Sequence, residues 1–86
     1  MNIKLLNVRE KKHSKYEVRF ERDGKSKAIL ITENCHWVED IHDYISTITC
    51  ENQEFYEIWA NFDFRKSVSQ EIKKIKELKV AELQAA

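Results

Sequence analysis

Residues 34–48 read NCHWVEDIHDYISTI, and the interpretation of this stretch decides the fold predicted for the rest of the chain. On a helical wheel at about 100° per residue, its large apolar side chains gather within about a third of the circumference. These side chains are Trp37, Val38, Ile41, Tyr44, Ile45 and Ile48. The pattern therefore predicts an amphipathic helix over residues 35–48, with Thr32 or Asn34 as its cap.

The composition indicates a small globular protein without a nucleotide-binding loop. With 86 residues, 42% hydrophobic and 35% charged, the chain is expected to form one domain over residues 1–86. Its longest aliphatic run, residues 28–31, is far shorter than a membrane span, so we expect a cytoplasmic protein that does not enter membranes. One glycine and no proline exclude phosphate-cradling loops, dinucleotide fingerprints and nucleophile elbows. We therefore expect no cofactor and no enzymatic activity.

The residues before the predicted helix have the pattern of a β-meander. Residues 2–9 are a predicted strand with an irregular alternation, and residues 15–22 alternate cleanly between apolar and charged side chains. Asp23-Gly24 then predicts a type I′ hairpin turn, which brings residues 25–31 back as a third strand. The cross-strand pairs that this turn predicts are Arg22–Lys25, Phe20–Lys27, Val18–Ile29 and Tyr16–Ile31.

Two structures are compatible with residues 54–64. As a strand, the segment places Phe55 and Trp59 on one side and five alternating residues on the other. As a helix, it forms an apolar stripe. The aromatic density favours the strand. A last helix is predicted to start at Ser67 or Ser69. The predicted fold is thus α+β: an antiparallel meander of three strands, with a fourth left open, and two or three helices packed on one face.

The charges are sorted along the chain although their sum is zero. Residues 1–27 carry a net +5, residues 28–64 carry eight acids and no Lys or Arg, and residues 65–86 carry a net +3. This order indicates an acidic surface on the central element, flanked by two basic ends.

The first hypothesis for function is a non-catalytic protein-binding module. Acids on the exposed side of the predicted helix, with aromatic residues beside them, would attract a partner protein with a basic surface. The predicted partner-binding residues are His36, Glu39, Asp40, Asp43, Glu54, Phe55, Glu57 and Trp59. Small inhibitors or adaptors, including phage and mobile-element inhibitors of nucleic-acid-binding proteins, have this general character, by analogy alone. The sequence also leaves a homodimer open.

The second hypothesis is a nucleic-acid-binding accessory protein. Lysine and arginine side chains of the first hairpin and the last helix could contact phosphates without reading a base sequence. The residues predicted for this role are Lys11, Lys12, Lys15, Arg19, Lys25, Lys27, Lys73 and Lys76. Acids are interleaved among them, and no known nucleic-acid-binding motif is present.

Candidate chemical sites in the predicted helix are weak. A helix over residues 35–48 would separate Cys35 from Cys50 by about 22 Å, which excludes a disulfide. It would also keep His36 and His42 too far from Cys35 to activate its thiol. His36 and Asp40 have the spacing of two metal ligands, whereas a specific site needs three or four. We therefore expect no metal site and no catalytic residue.

Overall fold

The structure, a computed structural model, describes residues 2–85 and consists of one sheet with two helices. The strands are β1 (Ile3–Lys12), β2 (Lys15–Arg22), β3 (Lys25–Val38) and β4 (Asp43–Cys50). The helices are α1 (Glu54–Trp59) and α2 (Phe62–Ala85). The strands form an antiparallel sheet in the order β1-β2-β3-β4, so each strand pairs with its neighbour in the chain. The predicted α+β fold, a meander with helices on one face, is confirmed.

The β2–β3 hairpin has the predicted turn and register. Asp23 and Gly24 have φ of 51° and 84°, the positive values that a two-residue hairpin turn needs. All four predicted cross-strand pairs, from Arg22–Lys25 to Tyr16–Ile31, are present. The alternation of β2 places Tyr16, Val18 and Phe20 on the face that the helices cover, which we call the inner face; the opposite face is the outer face.

The helix predicted over residues 35–48 is wrong, because this stretch is a β-hairpin. It contains the end of β3, a single 3-10 turn at Glu39–Ile41, and most of β4. His42 closes the turn with a φ of 48°. Among residues 35–48 only Glu39 is a strong helix former, and β-branched or aromatic residues fill both strands. The apolar residues have helical spacing by coincidence, and the strand propensity of the residues agrees with the hairpin that the structure has.

The strand favoured for residues 54–64 is also wrong, because the segment contains α1 and the start of α2. The helical stripe is the pattern that the chain uses, with Phe55 and Ile58 both buried. The last helix starts at Phe62, before either predicted serine cap. Asn61 caps it: its side-chain oxygen accepts a hydrogen bond from the Phe64 amide at 3.0 Å.

The core lies between the inner face of the sheet and the two helices. Its sheet residues are Val8, Tyr16, Val18, Phe20, Ile29 and Ile31, and its helix residues are Phe55, Ile58, Phe64, Val68 and Ile72. The Phe20 and Phe64 rings meet edge to face, with centroids 5.7 Å apart. Further along α2, Lys76 and Lys79 form ion pairs with Glu33 and Glu10. Leu78 and Leu83, at the end of α2, are exposed.

The molecule is more extended than a typical domain of its length. Its radius of gyration is 14.3 Å, against about 12 Å for a compact domain of 86 residues. Its accessible surface is 6453 Å², about 1,100 Å² more than a folded monomer of 10.3 kDa usually exposes. Two parts project from the core: the far end of the β3–β4 hairpin and the last turns of α2. Neither helix in residues 2–85 combines the length and apolarity needed to cross a membrane.

Candidate functional site

The far end of the β3–β4 hairpin extends beyond the other strands. Lys15, the first residue of β2, pairs with Thr32 of β3, and the Glu33 amide donates a hydrogen bond of 2.8 Å to the Ser14 carbonyl. From Asn34 onward, β3 pairs only with β4 among the described strands. We call residues 34–47 the arm. Within it, Cys35 lies opposite Ser46 and Trp37 opposite Tyr44. Because β3 and β4 of the described chain pair only with each other over these residues, the arm is a two-stranded ribbon.

The arm exposes four large apolar side chains: Trp37 and Tyr44 lie on its inner face, Ile45 on its outer face, and Ile41 in the turn between its strands. Trp37 is 49% exposed, Ile41 58%, Tyr44 66% and Ile45 44%. The Trp37 ring meets the rings of Tyr44 and His42 edge to face, with centroid distances of 5.1 and 6.3 Å. The aromatic side chains therefore pack on one another while much of their surface remains in water. We call Trp37, Ile41, Tyr44 and Ile45 the arm cluster.

Three acids lie in the arm next to these side chains: Glu39 and Asp40 in the turn and Asp43 at the start of β4. The Trp37 indole N–H donates a hydrogen bond of 2.7 Å to Glu39 Oε2, and the Asp43 carboxylate accepts one of 2.8 Å from the Tyr44 amide. Among residues 2–85, no Lys or Arg lies within ion-pair distance of Glu39, Asp40 or Asp43. These carboxylates therefore give the arm a negative potential that the described part of the chain does not neutralise locally.

Two other predicted partner-binding acids are engaged inside the molecule. Glu54 accepts hydrogen bonds from Lys27 at 2.7 Å and Arg22 at 2.8 Å, and Glu57 accepts one from Arg22 at 3.0 Å. The Lys27 ammonium, with further help from Arg22, holds the pKa of Glu54 below its usual range. These ion pairs attach α1 to the end of the β2–β3 hairpin. The sequence analysis expected Glu54 and Glu57 on an open acidic surface, whereas the structure pairs both with cations of the same chain.

The predicted aromatic anchors also lie elsewhere than expected. Phe55 is buried in the core, and Trp59 is partly buried and stacks on Phe55 with ring centroids 4.9 Å apart. The prediction required a strand with both rings on the uncovered side, and the helix turns them inward. His36 remains on the arm, beside Thr47, 3.4 Å from the hydroxyl. The structure thus gathers His36, Glu39, Asp40 and Asp43 in the arm and leaves the other four predicted residues out of it.

The helical wheel gave no indication that the four residues of the arm cluster form a binding surface. It assigned all of them to the buried stripe of a helix. A signal was present: residues 45–49 read ISTIT, four β-branched residues in five, which favours a strand. A strand in this position alternates its side chains between two faces, so a continuous apolar stripe could not be buried on one side.

The basic residues predicted to bind nucleic acid are divided between two sides of the sheet. On the outer face, Lys11 and Arg19 both approach Glu17, which also pairs with Arg9. The Arg19 guanidinium is the main cause of the lowered pKa of Glu17. On the inner side, Lys27 pairs with Glu54 and Lys76 with Glu33, whereas no ion pair involving Lys12, Lys15, Lys25 or Lys73 is seen within residues 2–85. These cations do not form one continuous tract.

A groove runs along β4 on the inner side, between this strand and the helices. It has a volume of about 720 Å³. Its lining is mixed: the apolar side chains are Ile48, Trp59, Phe62 and Ile72, the cations are Arg65 and Lys66, and the other polar residues are Glu33, Ser46, Thr47 and Ser69. Phe62 is 64% exposed, and the Arg65 guanidinium lies 5.8 Å from the centre of its ring. We call this feature the edge groove.

The two cysteines are free thiols. They are separated along a β-hairpin, and not along a helix as the sequence predicted. Cys35 lies opposite Ser46, and Cys50 opposite Ile31, so the two are four residues apart along the hairpin, about 13 Å. In residues 2–85 no group of three or more His, Cys, Asp or Glu side chains is placed to hold a metal ion.

The geometry is the only guide to function, because comparison with known proteins identified no relative. No protein-family model, curated protein or solved structure matches this chain.

Proposed function

We propose that this chain is a non-catalytic protein-binding module, an inhibitor or adaptor, whose arm docks on a partner protein with a basic surface. The observation that carries the proposal is the arm cluster beside three carboxylates without a cationic partner in the described chain. Binding hot spots are enriched in Trp and Tyr, and the rim of an interface is typically polar.

The contacts between side chains of the arm support this role. Trp37 packs on Tyr44, and its indole N–H is bonded to Glu39, so these side chains lose little conformational entropy when a partner covers them. The acids add long-range attraction to a basic surface, which raises the rate of encounter and selects against acidic partners. Affinity would then come mainly from the apolar side chains, and selectivity mainly from the carboxylates.

The experiment is capture of a partner by immobilised protein, with charge reversal in two places. Asp40→Lys with Asp43→Lys reverses two arm acids, and Glu77→Lys with Glu82→Lys reverses two exposed acids of α2 as a control of equal charge change. We expect the arm variant to lose the partner and the α2 variant to retain it. Circular dichroism establishes that both variants are folded.

Capture that is equal in the two variants would contradict the proposal, because the acids of the arm would then be irrelevant. Binding of DNA or RNA at low salt that weakens steeply as salt rises, and that the arm substitutions leave unchanged, would favour the nucleic-acid hypothesis instead. A substitution of the arm cluster, Trp37→Ala, tests the apolar part separately. We expect it to weaken binding by about 2 kcal/mol, roughly thirtyfold.

A further inference from the structure

β4 is an unprotected sheet edge. It is the last strand of the sheet, and no other strand within residues 2–85 pairs with its free side. Residues 44–50 of β4 read YISTITC, without charge, proline or glycine, and the β3–β4 register contains no bulge. The opposite edge, β1, has two register shifts and four Lys or Arg residues. Such devices discourage pairing of an edge with another strand, and β4 lacks them.

The two unusual surfaces at this edge are complementary to each other. The arm offers exposed aromatic side chains with acids, and the edge groove offers apolar side chains with Arg65 and Lys66, while the acid in its lining, Glu33, is paired with Lys76. Neither cation forms an ion pair in the described chain, and neither do the arm acids. Both surfaces belong to the same edge strand, since β4 forms one side of the arm and Ile48 of β4 lines the groove.

We propose that the partner of the arm is a second copy of this chain, joined through antiparallel pairing of the two β4 strands. The inference rests on the proposed docking function of the arm and names its occupant. A two-fold axis perpendicular to the sheet at Ser46 pairs Ser46 with itself and Tyr44 with Ile48 of the second copy. Residues opposite each other share a face, so Tyr44 lies on the inner side, at the edge groove of the second copy.

In this dimer, both surfaces of both copies are covered. The arm of each copy runs along the edge groove of the other and brings Glu39 and Asp40 toward Arg65 and Lys66. The result is a continuous eight-stranded sheet with all helices on one side. Each molecule exposes about 1,100 Å² more surface than a typical monomer of its mass, and a stable interface needs about 800 Å² from each partner.

The first test is the mass in solution, measured by sedimentation equilibrium over a range of concentrations. The chain has a mass of 10.3 kDa, and we expect a concentration-dependent dimer of twice that mass. Ile45→Lys places a charge on the paired edge of both copies and is expected to weaken the dimer about tenfold or more. Leu30→Lys is the matched control: Leu30 is an exposed aliphatic residue on the outer face of β3, away from the edge. It is expected to leave the mass unchanged.

The second test fixes the register. Ser46→Cys, in a Cys35→Ser and Cys50→Ala background, places one thiol at the two-fold axis. We expect rapid oxidation to a covalent dimer, because directly opposed residues of paired strands lie within disulfide distance. Thr32→Cys in the same background is the control, and we expect it to remain monomeric under non-reducing electrophoresis.

The third test is rescue by charge exchange. Arg65→Glu with Lys66→Glu is expected to weaken the dimer about tenfold, and so is Glu39→Lys with Asp40→Lys. A chain carrying all four substitutions restores opposite charges across the two-fold axis and is expected to regain association. A merely structural effect of the substitutions would not produce this recovery.

The outcomes separate this inference from the proposed function. Wild-type protein that sediments as a monomer at every concentration overturns the second copy as partner, while arm-dependent capture of a different protein would leave the docking role intact. A dimer that survives Ile45→Lys, fails to cross-link at Ser46 and dissociates with Leu83→Lys would place the interface on α2 and overturn the inference as well. Dimerisation that needs the arm and both charge sets supports it.

Discussion

Gly24 shows how a single backbone conformation sustains the β2–β3 hairpin. Its φ of +84° lies in the left-handed region, and nothing lies within 4 Å of the position that a Cβ atom would occupy. A Gly24→Ala substitution therefore strains the backbone but causes no steric clash with other residues. We expect it to reduce the free energy of unfolding by about 1 kcal/mol. Gly24→Asn is the matched control, since Asn tolerates positive φ and should lose less. Urea unfolding measures both; equal losses would contradict the conformational explanation.

Glu54 makes part of the stability depend on pH. Hydrogen bonds from Lys27 and Arg22 lower the pKa of Glu54 in the folded protein below its reference value of 4.5. The stabilisation from this carboxylate is complete above the pKa of the unfolded chain and is lost as pH falls through the lower folded pKa.

We expect Glu54→Gln to reduce the free energy of unfolding by about 1 kcal/mol at neutral pH and to have little effect in acid. Denaturant unfolding across this pH range measures the difference. Glu51→Gln serves as the control, because Glu51 is exposed and has no ion pair in the described part of the chain. A loss for Glu54→Gln that is the same in acid as at neutral pH would contradict the assignment.

The first residue of α2 is determined by the Asn61 cap and not by the serine residues further along the chain. Asn61 accepts a hydrogen bond from the Phe64 amide, whereas the Ser67 hydroxyl, within the helix, donates to the Asp63 carbonyl. We expect Asn61→Ala to cost about 1 kcal/mol of unfolding free energy and Ser67→Ala to cost almost nothing. Thermal unfolding of the two variants compares the two starting points directly. A larger loss of unfolding free energy for Ser67→Ala than for Asn61→Ala would indicate that the helix starts at Ser67, as predicted from the sequence.

The elements that were predicted correctly are those whose local signals agree. In the β2–β3 hairpin, Asp23-Gly24, the alternation of β2 and the aliphatic residues of β3 all favour one register, and the structure has it. In residues 35–48 the signals conflict, because apolar spacing indicates a helix while β-branched and aromatic residues favour strands. A wheel diagram weighs spacing alone, so it gave the wrong element.

The candidate site was predicted in part for the same reason. Acid side chains at the solvent-facing positions of residues 35–48 are exposed in a helix and in a hairpin alike, so Glu39, Asp40 and Asp43 were found. Burial of the apolar side chains differs between the two structures, so the arm cluster was assigned to the core. Glu54 and Glu57 depend on contacts with Arg22, more than thirty residues away, which no local pattern encodes.

Within the described part of the chain, the C-terminal end of α2 contributes no side chain to the hydrophobic core. Val80 and Leu83 are exposed, while Val68 and Ile72 are buried. We expect removal of residues 80–86 to change the free energy of unfolding by less than about 0.5 kcal/mol, because almost no buried surface is lost. Removal from residue 72 onward should abolish cooperative unfolding, because it takes Ile72 out of the core. A large loss from the shorter deletion would show that the helix end is packed in solution.

The meander topology has a consequence for how the chain acquires its structure during synthesis on the ribosome. Since every strand pairs with its chain neighbour, successive hairpins can assemble in the order in which they leave the exit tunnel. The aromatic and aliphatic inner face of the sheet, however, stays uncovered until α1 and the first half of α2 have been translated. The nascent chain is therefore prone to aggregation while this apolar face is exposed. The exposure ends when the helices in the last third of the chain have been synthesised and cover the face.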